Sequence, residues 1–304
     1  MRFLIAGSSG FLGTLLRKEL GHQGHHVTPL VRRPPTAHPP LGLDHEVRWD
    51  PYESPLGPEV VDDHDVVVNL AGTPTMGNPH SKKWARQLRE SRVTTTRVLA
   101  EAIAASDTKP RFLAGNAIGY YGGHGQEVIT DDSDSRGDSL MTRVPRDWQR
   151  AAEAAEEAGA RVTYLRTSPV YDRRSEPLHL LRLMFLAGLG GPLGNGRQYV
   201  PMITARDWVD GVLHIASTDL EGPVILNCVE PPTNSEFTRE LAARVHRPAF
   251  FKVPAAVIKP AAGRLANELL ASYRLRPEKL LASGFTFHDP DVRAVLAEGL
   301  SQSR

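Results

Sequence analysis

RFLIAGSSGFLGTLLRKEL (2–20) decides how the rest of the chain is read. A short apolar run leads into Gly7, and a segment of helical period follows at once, with Leu12, Leu15, Leu16 and Leu20 on one face. Between the two lies GSSGFLG (7–13), with glycines spaced G-x-x-G-x-x-G. Strand, glycine loop and helix in that order make a phosphate cradle. Gly7 takes the tight turn, Gly10 lets backbone approach a pyrophosphate, and Gly13 permits close helix–strand packing. The helix N-terminus points unpaired N–H groups at the anion. Gly7, Ser9, Gly10, Phe11, Leu12 and Gly13 are therefore the expected cradle residues.

Working outward, the same alternation repeats. Strands are expected at 2–6, 26–31, 46–49, 65–71, 111–115 and 161–166, with helices at 11–20, 82–105 and 145–159 between them. Runs such as VVVNLA (66–71) are apolar on both faces, as in a parallel sheet covered by helices on each side. The pattern predicts an α/β fold with a Rossmann-type, doubly wound parallel sheet. Beyond residue 172 the rhythm loosens into a helix (207–218), a strand (223–228) and a helix (235–246), then a proline-punctuated helical tail. The expected division is a nucleotide-binding domain over 1–248, with 172–248 forming much of a small substrate lobe, and a helical appendage over 249–304. PPTAHPPLGLDH (34–45) reads as a proline-rich loop.

Bulk composition excludes several roles. The net charge of +1 comes from interleaved acids and bases, so no footprint for nucleic acid or an anionic membrane is expected. No stretch approaches the ~18 apolar residues of a membrane span. The opening MRFLIAGSSG is too short in its apolar run for a signal-peptide core and reads as a buried strand. Cys228 is the only cysteine, which excludes a disulfide framework and fits a cytoplasmic location. His22, His25 and His26 lack ligand spacing, so no metal is expected. A homodimer and a monomer are equally compatible with these features.

The second strand chooses the nucleotide. A diphosphopyridine site without a 2′-phosphate places an acid at that strand's end, whereas here the chain reads LVRRPP. Arg32 and Arg33 suit a 2′-phosphate through charge-assisted bonds, which favours NADP(H), although exposed arginines also merely solvate a strand end. Asp50 either meets the adenine side or caps a turn. Leu70, Ala71 and Gly72 follow the apolar strand at its carboxyl end, the ligand side of an open sheet.

Taken with GSSGFLG and LVRR, the stretch VVVNLAG resembles the extended branch of the short-chain dehydrogenase/reductase superfamily. SKKWARQLRESRVTTTRVLAEAI, AIGYYGG, DWQRAAEAAEEAGARVTYLRT, GLGGPLGNGRQYV and AAGRLANELLASYRLRPEKLLASGFTF recur in order. Over nearly the whole chain they resemble an atypical NAD-dependent epimerase/dehydratase-like group that carries a C-terminal domain of unknown function. The resemblance implies a Rossmann-type fold binding NADP(H), and it implies no particular substrate.

Active members of the superfamily use Y-x-x-x-K on one helix, the lysine lowering the tyrosine's pKa for proton exchange. None of the seven tyrosines here is followed four residues on by lysine. Matching the pattern puts Met141 and Pro145 near those positions, with Pro145 expected to start the helix. Asn116 stands where the resemblance implies a hydroxyl. It can donate a hydrogen bond but cannot relay a proton. Asn116, Tyr120 and Tyr121 are the candidate catalytic residues, with His124 or Lys83 as a cationic neighbour for a phenol, and a purely packing role for the two rings as the alternative. Asn116 and Arg166 are expected near the nicotinamide, Arg166 either gripping an anionic substrate group or forming a structural ion pair. Asp207 resembles a lobe-closing acid or caps its helix. The glycine-rich loop 188–200 covers a ligand or simply connects. Two functions fit: an NADP(H)-dependent oxidoreductase or epimerase-like enzyme on a small polar, carbonyl-bearing metabolite with a non-standard proton donor, or a catalytically silent NADP(H)-binding module read by a partner.

Overall fold

In the computed structural model, which describes residues 1–36, 45–249 and 252–301, the opening stretch becomes β1 (Arg2–Ala6) and α1 (Phe11–His22). Most of the proline-rich loop lies outside the described residues. Next come β2 (His26–Val31), β3 (Val47–Arg48), α2 (Pro58–Asp62) and β4 (Val66–Asn69). The long α3 (Lys82–Ala105) starts where the Ser81 side chain accepts from the Trp84 amide, and it leads into β5 (Arg111–Ala117). After a 3-10 turn (Ile118–Tyr120) follow β6 (Val128–Ile129), α4 (Leu140–Arg150), α5 (Glu153–Glu157) and β7 (Val162–Thr167).

The seven-stranded sheet is completed by β10 (Gly222–Leu226), and its order is β10-β7-β5-β4-β1-β2-β3 with every pair parallel. From β1 the chain winds one way to β2 and β3, then returns to lay down β4 and the rest on the other side. The point of reversal, between β1 and β4, opens a crevice at the carboxyl ends of those strands.

Alternation along β1 builds a core on each face. Phe3 and Ile5 join Leu16, Leu20 and Trp208 on one side, while Leu4 and Ala6 join Leu99, Ile103 and Phe112 on the other. All of these are essentially solvent-free. Each large apolar side chain buried this way stabilises the fold by roughly 1.5–3 kcal/mol, so the crevice rests on a stiff floor.

The lobe contains β8 (Val170–Tyr171), α6 (Glu176–Leu186), β9 (Ile203–Thr204), α7 (Ala205–Ser217) and α8 (Asn234–Arg244). The tail supplies α9 (Ala255–Ala262), α10 (Ala266–Leu270), β11 (Arg274–Leu275), α11 (Glu278–Ala282) and α12 (Val292–Leu300). The tail is not the appendage expected from its composition. β11 pairs with β6, Leu280 and Phe287 enter the core under α7, and Val295 and Leu296 pack with Phe237 and Leu241 of α8. Two buried carboxylates fasten it: Asp131 accepts from the Ile225 and Lys279 amides, and Asp207 from those of His288 and Asp289. Among the described residues no helix is long and apolar enough to cross a membrane.

Candidate functional site

Gly7 turns the chain out of β1 at φ +82°, and a Cβ there would lie 2.6 Å from the Leu70 carbonyl carbon and 2.7 Å from the Ala71 nitrogen. The cradle and the segment after β4 thus close on each other only because Gly7 has no side chain. At Gly13 a Cβ would sit 2.2 Å from the Gly7 oxygen, whereas at Gly10 the nearest atom is that same oxygen at 3.3 Å. No side chain caps α1 and its first turn holds no acid. The opening amides of Phe11, Leu12 and Gly13 therefore face an anion-compatible space, and Ser9 and Gly10 are exposed beside it.

Leu70, Ala71 and Gly72 are held from beneath by Asn69. Its carbonyl accepts from the Ala71 amide at 3.0 Å and its Nδ2 donates to Thr96 Oγ1 at 2.8 Å, an oxygen that also accepts from the Trp148 indole. Two arginines not anticipated from the sequence border this region. Arg92 lies against Gly72, donates to the Leu88 carbonyl at 3.1 Å, and stacks over Trp148 at 5.2 Å. Burial pulls its pKa down to about 10, and among the described residues no carboxylate pairs with it. Arg174 lies 5.5 Å from the Phe11 ring centroid, aligned by both oxygens of Asp172.

At the end of β2, Arg32 and Arg33 are both exposed. The Arg33 guanidinium meets Glu46 with two bonds of 2.6 and 2.7 Å. Arg33 and the Thr36 amide hold the Glu46 carboxyl down at about 2. Asp50 is a turn cap: its Oδ1 accepts from the Tyr52 amide at 3.0 Å and its carbonyl from Glu53 and Ser54.

The region around the ends of β5 and β7 is arranged differently from expectation. β5 and β7 pair with Asn116 opposite Arg166. The Asn116 carbonyl accepts from Arg166 Nη1 and from the Ala117 amide, and its Nδ2 donates to the Pro145 carbonyl at 3.1 Å. Asn116 is therefore a buried brace between β5, β7 and α4 and not a group offered to a ligand. Arg166 neither reaches outward nor forms an ion pair. It is 1% exposed, is held by Asn116 and Gln149, and lies 3.6 Å under the Tyr120 ring. Desolvation lowers its pKa, and the tyrosines around it oppose that.

Tyr121 is a second correction. It has no exposed surface and donates to the Asp131 carbonyl at 2.8 Å, while burial pushes its pKa well up. That phenol holds the anchor loop and is sealed from any ligand. Tyr120 is half-buried, and among the described residues its hydroxyl makes no hydrogen bond. Its cationic neighbour is Arg166. His124 is buried and bonds the Tyr121 and Asp134 carbonyls, and Lys83 is exposed on α3.

α4 also departs from its predicted form. Ser139 starts it by accepting from the Thr142 amide, which leaves Pro145 inside the helix, and the predicted helix over 145–159 is two helices. With no N–H on Pro145, the Met141 carbonyl lacks its i+4 donor. That carbonyl packs on Gly119, where a Cβ would be 2.3 Å away. Thr204, not Asp207, caps α7. Asp207, Asp210 and His288 bring ligand-type atoms within 4.8 Å, but both Asp207 oxygens already accept backbone amides and Asp210 faces His288 at 3.5 Å. The glycine-rich loop packs on the lobe and tail through bridges at Leu193–Val253 and Tyr199–Thr233.

An anion cradle at the reversal point of a parallel sheet, with cations and aromatics gathered along the carboxyl edge, defines a dinucleotide-binding α/β protein. The chain belongs to the NAD dependent epimerase/dehydratase family, whose model matches residues 3–228, and residues 253–298 match a domain of unknown function, DUF1731. It is 36% identical over 294 residues to the epimerase family protein Mb2239 of Mycobacterium bovis, covering 96% of this chain and 95% of that one. It is 32% identical over 308 residues to the epimerase family protein SDR39U1 of Bos taurus, covering 98% and 99%. The crystal structure of human SDR39U1 (isoform 2) with NADPH superposes with a TM-score of 0.84 at 29% identity, covering 98% of this chain and 99% of that one.

Proposed function

We propose that this protein is an NADP(H)-dependent oxidoreductase, epimerase-like in architecture, that acts on a small polar metabolite bearing a carbonyl or the matching alcohol. The carrying observation is the cradle itself, in which added methyls at Gly7 and Gly13 would fill the space that backbone needs and the α1 amides are left uncapped. Gly7 to Gly13 with Leu70 to Gly72 would hold the pyrophosphate and its riboses. Arg32 and Arg33, the latter pre-oriented by Glu46, would take the 2′-phosphate. The solved human relative bound to NADPH supports this reading. When bound, NADP(H) supplies or accepts hydride. The chain's own residues orient the partners: Tyr120 offers a free hydroxyl at the sheet edge, and Arg166 fixes its ring from below.

Calorimetric titration with NADPH, NADP⁺ and NADH tests the assignment. NADPH is expected to bind at least ten times more tightly than NADH, and the double change Arg32→Ala, Arg33→Ala to remove that preference without weakening NADH. Equal binding of NADPH and NADH to the unaltered protein would overturn the arginine assignment. Absence of binding by all three would overturn the function.

A further inference from the structure

The sheet edge lacks the tyrosine–lysine pair and Tyr121 is sealed, so the source of a proton has to be sought elsewhere around Tyr120. Gly119 immediately precedes it. The atoms nearest to a Cβ on Gly119 would be the carbonyl oxygen and carbon of Met141, at 2.3 and 3.3 Å, and then Glu268 Oε1 at 3.7 Å. Met141 is the position where a helical tyrosine was expected, and its backbone closes one side of the turn. Beside the same turn lies a carboxyl from α10, in the tail.

Glu268 is half-buried, and its carboxyl faces the turn before Tyr120. The segment that carries it packs into the reaction end, with Ala271 and Tyr273 in the same cluster as Tyr120 and Tyr121. Among the described residues no lysine, arginine or histidine forms a salt bridge with it. Burial raises its pKa to about 7, and the Tyr273 phenol is the one neighbour that opposes the rise. The turn that Glu268 faces bears Tyr120 with the Arg166 cation behind that ring, and α4 presents the Met141 backbone.

We propose that Glu268, delivered by the C-terminal segment, is the proton donor and acceptor for a carbonyl substrate held beside Tyr120. The proposal rests on the oxidoreductase reading above. In the reducing direction the carboxylic O–H bond breaks and an O–H bond forms on the substrate oxygen. The carbonyl carbon takes hydride from NADPH, which leaves as NADP⁺, and the Glu268 carboxylate regains its proton from water. In the oxidising direction the carboxylate accepts the alcohol proton. A group poised between its two states near neutral pH serves both directions.

The test uses the full chain, with infrared difference spectra of its carboxyl stretch recorded across pH, in the complexes with NADPH and with NADP⁺. Calorimetry establishes saturation by each. The expected result is one carboxyl titrating near neutrality in the unaltered protein and missing from Glu268→Gln, which still binds NADPH to within about twofold. A carboxyl at the reaction end also feels the positive ring of NADP⁺, so its midpoint in that complex should lie about one pH unit below that in the NADPH complex. Purely structural burial would leave the two midpoints equal. Both cofactors binding with equal midpoints, or the titration persisting in Glu268→Gln, would overturn the proposal while leaving the oxidoreductase reading intact. Failure of either cofactor to bind would remove that reading, and the proposal with it.

Discussion

Gly13→Ala is the sharpest probe of the cradle, because its cost is steric and its neighbours cannot step aside. The new methyl would start 2.2 Å from the Gly7 oxygen and 2.8 Å from Ser8 Cα, both main-chain atoms. Ordinary contact begins near 3.4 Å, so loop and helix must part by about 1.2 Å. Two effects compete. Alanine in a helix gains up to about 1 kcal/mol over glycine, while forcing a methylene into a packed site costs about 1–3 kcal/mol. The net is a loss of about 0–2 kcal/mol, a fall of a few degrees in Tm for a chain of this size. Affinity should suffer more. Charge-assisted hydrogen bonds are made between about 2.7 and 2.9 Å, and a 1.2 Å displacement of the α1 amides breaks at least one. At about 1.5–3 kcal/mol each, NADPH binding should weaken roughly 10- to 100-fold by calorimetry. Gly10→Ala is the control for stability alone: inside the protein its methyl meets nothing nearer than the Gly7 oxygen at 3.3 Å, while toward the pyrophosphate it stands in the way and should weaken binding as well. NADPH affinity in Gly13→Ala within twofold of the unaltered protein would refute the reasoning.

Other outcomes follow from the same contacts. Tyr121→Phe leaves the buried Asp131 carbonyl without its donor and should destabilise the protein by about 1 kcal/mol in urea unfolding, while NADPH affinity stays within twofold. A lost cofactor affinity with unchanged stability would instead place that phenol at the ligand. Asp207→Ala strands two buried amides, at His288 and Asp289, and should cost about 2–4 kcal/mol. Limited proteolysis should then cut the tail first, and uniform protection would argue against the anchor.

How much of this was legible beforehand depends on the range of the interactions. β1, β2 and α3 match their sequence boundaries because apolar runs and helical period are local signals. The strand–loop–helix of β1 and α1 followed from the glycine spacing and the leucine period. Pro145 misled because a proline is equally at home in a helix's first turn, and only the Ser139 cap shows that the helix began earlier. Arg166 was expected to find an anion, yet its partners are two neutral amides and an aromatic face, which residue type does not announce. Glu268 could not be singled out at all. ANELL reads as an ordinary helix fragment, and the carboxyl becomes unusual only when residues distant in sequence bury it.

The threading of the tail carries a consequence for how the molecule is made. Everything that forms the cradle is translated within the first third of the chain, whereas Val128 waits for Arg274 and Ile225 waits for the loop locked by Lys279. Synthesis at about 5–20 residues per second therefore separates the two events by roughly ten to forty seconds. Under the proposed function, a nascent chain has a place for a nucleotide well before the Glu268 carboxyl is made. If Glu268 is the proton donor proposed above, translation itself imposes the order: first the grip, then the chemistry.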